Sequence, residues 1–410
     1  MKLAFLTQSY PPMVSGAAIF AKQLAEGMAD RGHQVLVIAA SDRGAPYLAQ
    51  SGNLSVLRLR SVTNPLRAGQ RFMILSQRAI LRALADFDPQ LIHTHEPFQI
   101  GLTGIAYARH SGIPVSLNIH QLPWFVASYL PRVEILRTGM ESLLWGYAGW
   151  VLRKFSILFA PTQTISDIVV RRTGICPRTI SYGLDLNTFS NLRPSLDREK
   201  ALRRRTGLPM SVPILLHVGR LDSDKQVDCV IRAAAETMKD TAAHLLMVGD
   251  GHAKPALMKL CRSLGIGDRA HFPGYITVGQ GLPDLYRLAS LFVTASEIET
   301  QGIVLLEAAA SGLPIVAVRA TCIPEIVHHG ENGFLAEPGD TLALARAMTT
   351  LLQDATLAGY MGAAGSLLAQ AHNQQDTLDG YESIYEEWVA RNKVKVPGRV
   401  RKPMRFFRAV

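Results

Sequence analysis

Two glutamates, Glu299 and Glu307, stand eight residues apart in the string Glu299-Thr300-Gln301-Gly302-Ile303-Val304-Leu305-Leu306-Glu307-Ala308-Ala309-Ala310-Ser311-Gly312-Leu313-Pro314. The string follows a strand and opens a helix, so the pair brackets a helix N-terminus. Free N–H groups and the helix dipole there favour a diphosphate, and flanking carboxylates can accept hydrogen bonds from sugar hydroxyls. Gly302 lets the backbone come close to a ligand. An acidic cap followed by an apolar core helix would produce the same spacing.

A second set, Val218-Gly219-Arg220-Leu221-Asp222-Ser223-Asp224-Lys225, puts two cations five residues apart just beyond a strand. A leaving nucleoside diphosphate gains negative charge as its bond to the sugar breaks, and fixed cations stabilise that growth. Arginine grips phosphate oxygens in a fork and lysine adds a point charge; solvated surface charge is the plain alternative. The loop Ser9 to Ala18 leads from the first strand into a helix, a natural place to approach phosphate, yet it lacks the G-x-G-x-x-G fingerprint of dinucleotide binding. His120, in Asn118-Ile119-His120-Gln121, ends a predicted strand. Side chains at such ends face the ligand crevice of a parallel sheet, although a lone histidine can equally be structural. His93 and His95 flank Thr94 without a third metal ligand in view and read as strand-end residues lining the cleft.

The Glu299–Pro314 string closely resembles the E-x7-E signature of retaining glycosyltransferase family 4, and the resemblance extends over nearly the whole chain. It implies an α/β protein of the GT-B fold, with two Rossmann-like, doubly wound domains facing across a cleft. It further implies that Glu307 holds the ribose hydroxyls and Glu299 those of the transferred sugar, with Gly302 and Ile303 backbone groups near phosphate or sugar. Arg220 and Lys225 match the family's donor-phosphate cations, and His120 its active-site histidine, which contacts the donor sugar. Tyr275 and Ile276, in Phe272-Pro273-Gly274-Tyr275-Ile276, match the segment beside the nucleobase. Glu325 matches a recurrent family position, and reads as well as an N-terminal helix acid. Where the family has two adjacent glycines, this chain has Gly16-Ala17, which leaves the Gly16 contact to the donor open. Gln301 replaces the usual aromatic; with His95-Glu96-Pro97-Phe98 it resembles the branch that glucosylates diacylglycerol. Two D-x-D strings, Asp86-Phe87-Asp88 and Asp222-Ser223-Asp224, spell the metal motif of another glycosyltransferase architecture. The first falls in an inter-element loop and the second sits between Arg220 and Lys225, which can do a metal's charge work, so no metal or other cofactor is expected.

The elements that must position these residues follow a βαβ rhythm from Leu3–Thr7, through a helix at Ala18–Arg31, to Gln34–Ala40 and onward. A polar stretch, Asn191–Ser211, interrupts it, and a second series starts at Ile214. The expected domains are 1–187 for the acceptor, 188–374 for the donor, and 375–410 as a terminal helix with a basic tail. No strand follows the helix Gln375–Val389, so it ends the second domain or crosses back to the first; crossing back is the expected arrangement.

With 410 residues, 48% apolar and 19% charged, the chain suits two packed α/β cores. Its four cysteines are widely spaced, which suggests neither a zinc site nor a disulfide framework and fits a reducing compartment. No segment offers the roughly 18 apolar residues of a spanning helix, and the first apolar run is short for a signal peptide. The net charge of +10 is uneven: residues 1–190 hold 18 basic against 10 acidic residues, 191–390 hold 17 against 23, and 391–410 hold 8 against none. That asymmetry points to an anionic surface met by the N-terminal half and the tail. Trp124, Phe125, Tyr129, Trp145, Tyr147 and Trp150, then Arg153 and Lys154, join interfacial aromatics to cations, though core packing explains some of them. Arg67, Arg71, Arg78 and Arg82 fall at helical offsets on one face. The expectation is a cytoplasmic enzyme on the cytoplasmic face of the membrane, moving a hexose, glucose by preference, from a uridine-diphosphate sugar to a lipid such as diacylglycerol. Nucleic acid is the competing use of the tail but is not the expected partner. A soluble or polysaccharide acceptor, and nucleotide-sugar epimerisation on the same fold, are the alternative readings.

Overall fold

Apolar runs of four to seven residues become strands because both faces of a parallel sheet are covered by helices. The computed structural model describes residues 1–13, 15–64, 70–74, 76–123, 134–190, 192 and 194–395, with backbone alone at 134–138 and 393–395. The chain divides into one unit of Met1–Ser181 with Gln375–Val410 and another of Tyr182–Gln374.

The first unit runs β1 (Lys2–Leu6), α1 (Gly16–Asp30), β2 (Gln34–Ala40), β3 (Tyr47–Ser51), β4 (Leu54–Leu59), β5 (Ser61–Thr63), β6 (Arg71–Met73), α2 (Gln77–Phe87), β7 (Leu91–Thr94), α3 (Gln99–Ser111), β8 (Val115–Asn118), α4 (Glu134–Leu152), β9 (Ile157–Ala160), α5 (Gln163–Thr173) and β10 (Arg178–Thr179). Eight strands lie in the order β10-β9-β8-β7-β1-β2-β4-β3, parallel except for the β3–β4 pair. The order reverses between β1 and β7, which opens a ligand crevice at their carboxyl ends. Ser15 caps α1 by accepting from the Ala18 N–H at 3.1 Å, and the helix buries Ala18, Ala21, Leu24, Ala25 and Met28, the apolar stripe of a 3.6-residue period.

The second unit holds α6 (Leu196–Thr206), β11 (Ile214–Val218), α7 (Val227–Thr237), β12 (His244–Val248), α8 (Lys254–Ser263), β13 (Ala270–Gly274), α9 (Leu282–Leu288), β14 (Leu291–Val293), α10 (Ile303–Ala310), β15 (Ile315–Val318), α11 (Ile323–Ile326), β16 (Gly333–Ala336), α12 (Thr341–Gln353) and α13 (Ala355–Ala369). Its parallel sheet is ordered β13-β12-β11-β14-β15-β16, so the reversal falls between β11 and β14.

The closing helix, α14 (Gln374–Lys395), is grouped from Gln375 onward with the first unit. Its buried Leu378, Tyr381, Tyr385 and Val389 recur at helical spacing. A methyl added to Gly27 of α1 would sit 2.6 Å from Leu378 carbons, so the two helices touch backbone to side chain. Tyr381 donates to the Asn118 side chain at 3.0 Å, and Tyr385 Oη lies 2.7 Å from His93 Nδ1. Arg31 and His33 each reach a Glu382 oxygen at 2.6 Å.

Three sequence expectations change here. Arg71 belongs to β6 and bonds Ser61 Oγ at 2.9 Å, because the β5–β6 pairing claims it; Arg78 and Arg82 ride on α2, and Arg67 lies outside the described residues. Asp86 and Phe87 end α2 and Asp88 is its left-handed cap, at φ 54°, so that D-x-D is a helix terminus. His93 is fully buried under Tyr385 and lines no opening. Among the described residues, no helix is long and apolar enough to cross a membrane.

Candidate active site

In the second unit the two motifs emerge from adjacent strands at the point where strand order reverses. Arg220–Lys225 follow β11 and Glu299–Gly302 follow β14, so parallel pairing brings segments some 75 residues apart to one sheet edge. Lys225 Nζ bonds Glu299 Oε1 at 2.6 Å, with Ser296 Oγ and the Ile298 carbonyl at 3.3 and 3.2 Å. Arg220 is held by Asp222 and by Asp224 Oδ2, the latter at 2.6 Å. Asp222 also accepts from the His252 N–H at 2.9 Å. The second D-x-D thus aims an arginine. Gly249 fits this crossing because a methyl there would lie 1.8 Å from the Gly219 carbonyl oxygen.

Gly302 takes φ 73°, a left-handed turn that glycine adopts without strain. It launches α10, an apolar helix buried on nearly every side, from Ile303. Glu307 lies one turn inside, nearly buried, and its Oε2 accepts from the Tyr286 hydroxyl at 2.7 Å. Burial pushes its carboxyl up to about 7, partly offset by that bond. The Tyr275 ring is exposed; burial of its hydroxyl and then the Glu307 charge raise that phenol. Ile276, by contrast, packs its side chain into the core. Gln301 is buried, and its carbonyl accepts the Tyr182 N–H at 2.8 Å, tying the loop after β14 to the start of the unit.

In the first unit Gly16 opens α1 after β1, while His95 and Glu96 follow β7 and His120 follows β8. His95 Nδ1 lies 2.8 Å from His120 Nε2, and the rings stack at 5.1 Å between centroids. Burial pushes the His120 imidazole down to about 3. Burial, then the neighbouring histidines, takes His95 far down as well.

Sequence reasoning gave no site role to Glu96, His217 or Tyr286. Glu96 accepts the Gln8 N–H at 2.9 Å at the end of β1; burial raises its carboxyl to about 7, against the lowering effect of bonds from Gln8, Ser9 and Thr7. Its place beyond a strand end was the available signal. His217 Nδ1 lies 3.0 Å from the Val293 carbonyl oxygen and is pushed down to about 4 by burial. Tyr286 reads as a core aromatic in α9, with no motif to mark it.

Trp124, Phe125, Tyr129 and the tail beyond 395 fall outside the described residues. On α4, Trp145 is buried whereas Trp150 is exposed, with Lys154 Nζ 4.0 Å from its ring.

Residues 14–188 match the family described as Glycosyltransferase Family 4, and residues 198–367 match Glycosyl transferases group 1. The chain is similar to N-acetyl-alpha-D-glucosaminyl L-malate synthase of Bacillus anthracis, with 33% identity over 96% of this chain and 99% of that protein. It is also similar to alpha-monoglucosyldiacylglycerol synthase of Streptococcus pneumoniae, with 27% identity over 77% of this chain and 71% of that protein. A crystal structure of Anabaena Alr3699/HepE in complex with UDP and glucose shares the fold at a TM-score of 0.74, with 21% identity over 94% of this chain and 100% of that one. Paired parallel sheets, motifs at their reversal points and these matches give one conclusion: the chain belongs to glycosyltransferase family 4, has the GT-B fold, resembles the glucosyldiacylglycerol synthase branch and is a hexosyltransferase.

Proposed function

We propose that the enzyme transfers a hexose, glucose by preference, from a UDP-sugar to the hydroxyl of a membrane lipid such as diacylglycerol, with retention at the anomeric carbon. One observation carries the donor half: at one sheet edge the second unit gathers Arg220, Lys225 and Glu299, with Glu307 one turn into α10. Arg220 and Lys225 neutralise the departing diphosphate, Glu299 holds sugar hydroxyls, and Glu307 accepts from the ribose. The Gly302 and Ile303 backbone and Gly16 approach phosphate or sugar, Gln301 holds their loop, Tyr275 and the Ile276 backbone flank the base, and His120 hydrogen-bonds the sugar. No residue is assigned as covalent nucleophile. The leaving phosphate accepts the acceptor's proton on the same face, so the protein's task is positioning and charge stabilisation. No metal takes part in this scheme. The glucosyldiacylglycerol relative, the exposed Trp150 beside Lys154, and the basic tail support a lipid acceptor at an anionic cytoplasmic leaflet.

The test is incubation with a panel of radiolabelled nucleotide sugars and extracted membrane lipids, followed by identification of the labelled product. Label from UDP-glucose in a lipid, lost in Arg220→Ala and Lys225→Ala proteins of unchanged circular dichroism, is the expected result. Near-normal turnover in those variants refutes the donor assignment, and label only in a water-soluble product refutes the lipid acceptor.

A further inference from the structure

We propose that Thr321 is a positioning residue that pins the backbone of Glu299, so that the Glu299 carboxylate meets the transferred sugar at a fixed place. This rests on the reading that Glu299 holds sugar hydroxyls.

A threonine stands where the backbone favours glycine. Thr321 takes φ 42°, in the left-handed region where Cβ crowds the neighbouring carbonyl and a β-branched side chain is an outlier. Glycine adopts that conformation freely. The turn that imposes it runs from β15 to α11 and is closed by the Ile323 N–H on the Ala320 carbonyl at 3.0 Å. Cys322 and Ile323, both fully buried, anchor it. Strain of this kind persists where the surroundings over-determine it, and it gathers at functional sites.

What the threonine contributes is its hydroxyl. Oγ1 accepts the Glu299 N–H at 3.3 Å, across 22 residues. The parallel pairing of β14 with β15, Phe292 beside Ile315 and Val293 beside Val316, makes that reach possible by bringing the two carboxyl ends to one edge. The turn lies against the carboxylate as well: after burial, the Glu299 charge is the largest influence raising the Cys322 thiol. At its far end the Glu299 side chain is gripped by Lys225 Nζ at 2.6 Å. Glu299 is thus fixed at two points, by a neutral hydroxyl on its backbone and by a cation on its carboxylate. In the proposed scheme the lysine is shared with the departing diphosphate and the hydroxyl is not. Thr321 therefore holds Glu299 in place while the donor is bound.

The experiment separates aim from stability. Thr321→Gly removes the hydroxyl and relaxes the turn, whereas Thr321→Ser keeps the hydroxyl. Full-length enzyme labelled with 15N-glutamate is examined by NMR, with the Glu299 amide assigned by its loss in Glu299→Gln. In Thr321→Gly that amide is expected to exchange with solvent about tenfold faster, while β14 and β15 amides keep wild-type protection by hydrogen-exchange mass spectrometry. The same variant should lose about tenfold in kcat/KM for UDP-glucose, the scale of one lost hydrogen bond, and keep its UDP affinity within about twofold. Thr321→Ser should stay within about threefold of the wild type in every reading. UDP lacks the sugar, so a loss confined to UDP-glucose reports the aim of Glu299, whereas general loosening of the site weakens UDP too. An unchanged Glu299 amide, a normal kcat/KM in Thr321→Gly, or a UDP affinity that falls in step overturns the proposal. Normal kcat/KM in Glu299→Gln would refute the sugar contact of Glu299 itself, a failure visible without any change at residue 321.

Discussion

Replacing Glu307 by glutamine is expected to stabilise the ligand-free second unit at high pH while weakening nucleotide binding. The carboxyl is nearly buried, and burial raises it from 4.5 to about 7, with only the Tyr286 hydroxyl opposing. A carboxyl whose native value lies above its unfolded one binds more protons in the folded state between those values. Stability is therefore full below the unfolded value and falls as pH rises through the native one. Between pH 5 and pH 8 this single group should remove about 2–3 kcal/mol from the wild type, and nothing from Glu307→Gln. Glutamine keeps an oxygen for Tyr286, so packing contributes little to the difference. The assay must report on the second unit alone, and tryptophan fluorescence does not, because Trp124, Trp145, Trp150 and Trp388 all belong to the first. Native-state hydrogen exchange of β11 and β14 amides at the two pH values does. In the same protein, UDP affinity at pH 8 should fall roughly ten- to hundredfold through loss of a charged acceptor, and wild-type affinity should itself decline below about pH 7. Parallel loss of protection in wild type and variant from pH 5 to pH 8 refutes the reasoning.

Tyr385→Ala should destabilise the first unit by about 3–5 kcal/mol, since it empties a fully buried ring site and removes the contact to His93; urea unfolding followed by tryptophan fluorescence measures it. Gln301→Ala should cost about 1–3 kcal/mol in the second unit by leaving the buried Tyr182 N–H without its acceptor, and exchange of that amide should quicken while Gln301→Glu at neutral pH preserves its protection.

The alternation of strands and helices was legible in the chain because it depends on local apolar periodicity, and so were the motifs Glu299–Glu307 and Arg220–Lys225. Their placement at strand ends followed from βαβ order alone. Tertiary structure decided what no local pattern encodes. The reversal of strand order between β11 and β14 brings Lys225 to within 2.6 Å of Glu299, a contact across 74 residues. Glu307 acquires its high carboxyl value from depth and from Tyr286, a residue that looks like ordinary core in sequence. Arg71 kept its helical spacing with Arg78 and was still drawn into a strand, where it pairs with Thr63 and donates to Ser61 Oγ. His95 and His120 carry no mark of each other 25 residues apart, and only the pairing of adjacent parallel strands brings the segments that hold them together, with His95 Nδ1 2.8 Å from His120 Nε2. Residue types and local spacing set which groups could react; burial, strand order and non-local hydrogen bonds set their protonation and aim, because those depend on neighbours that the chain supplies from far away.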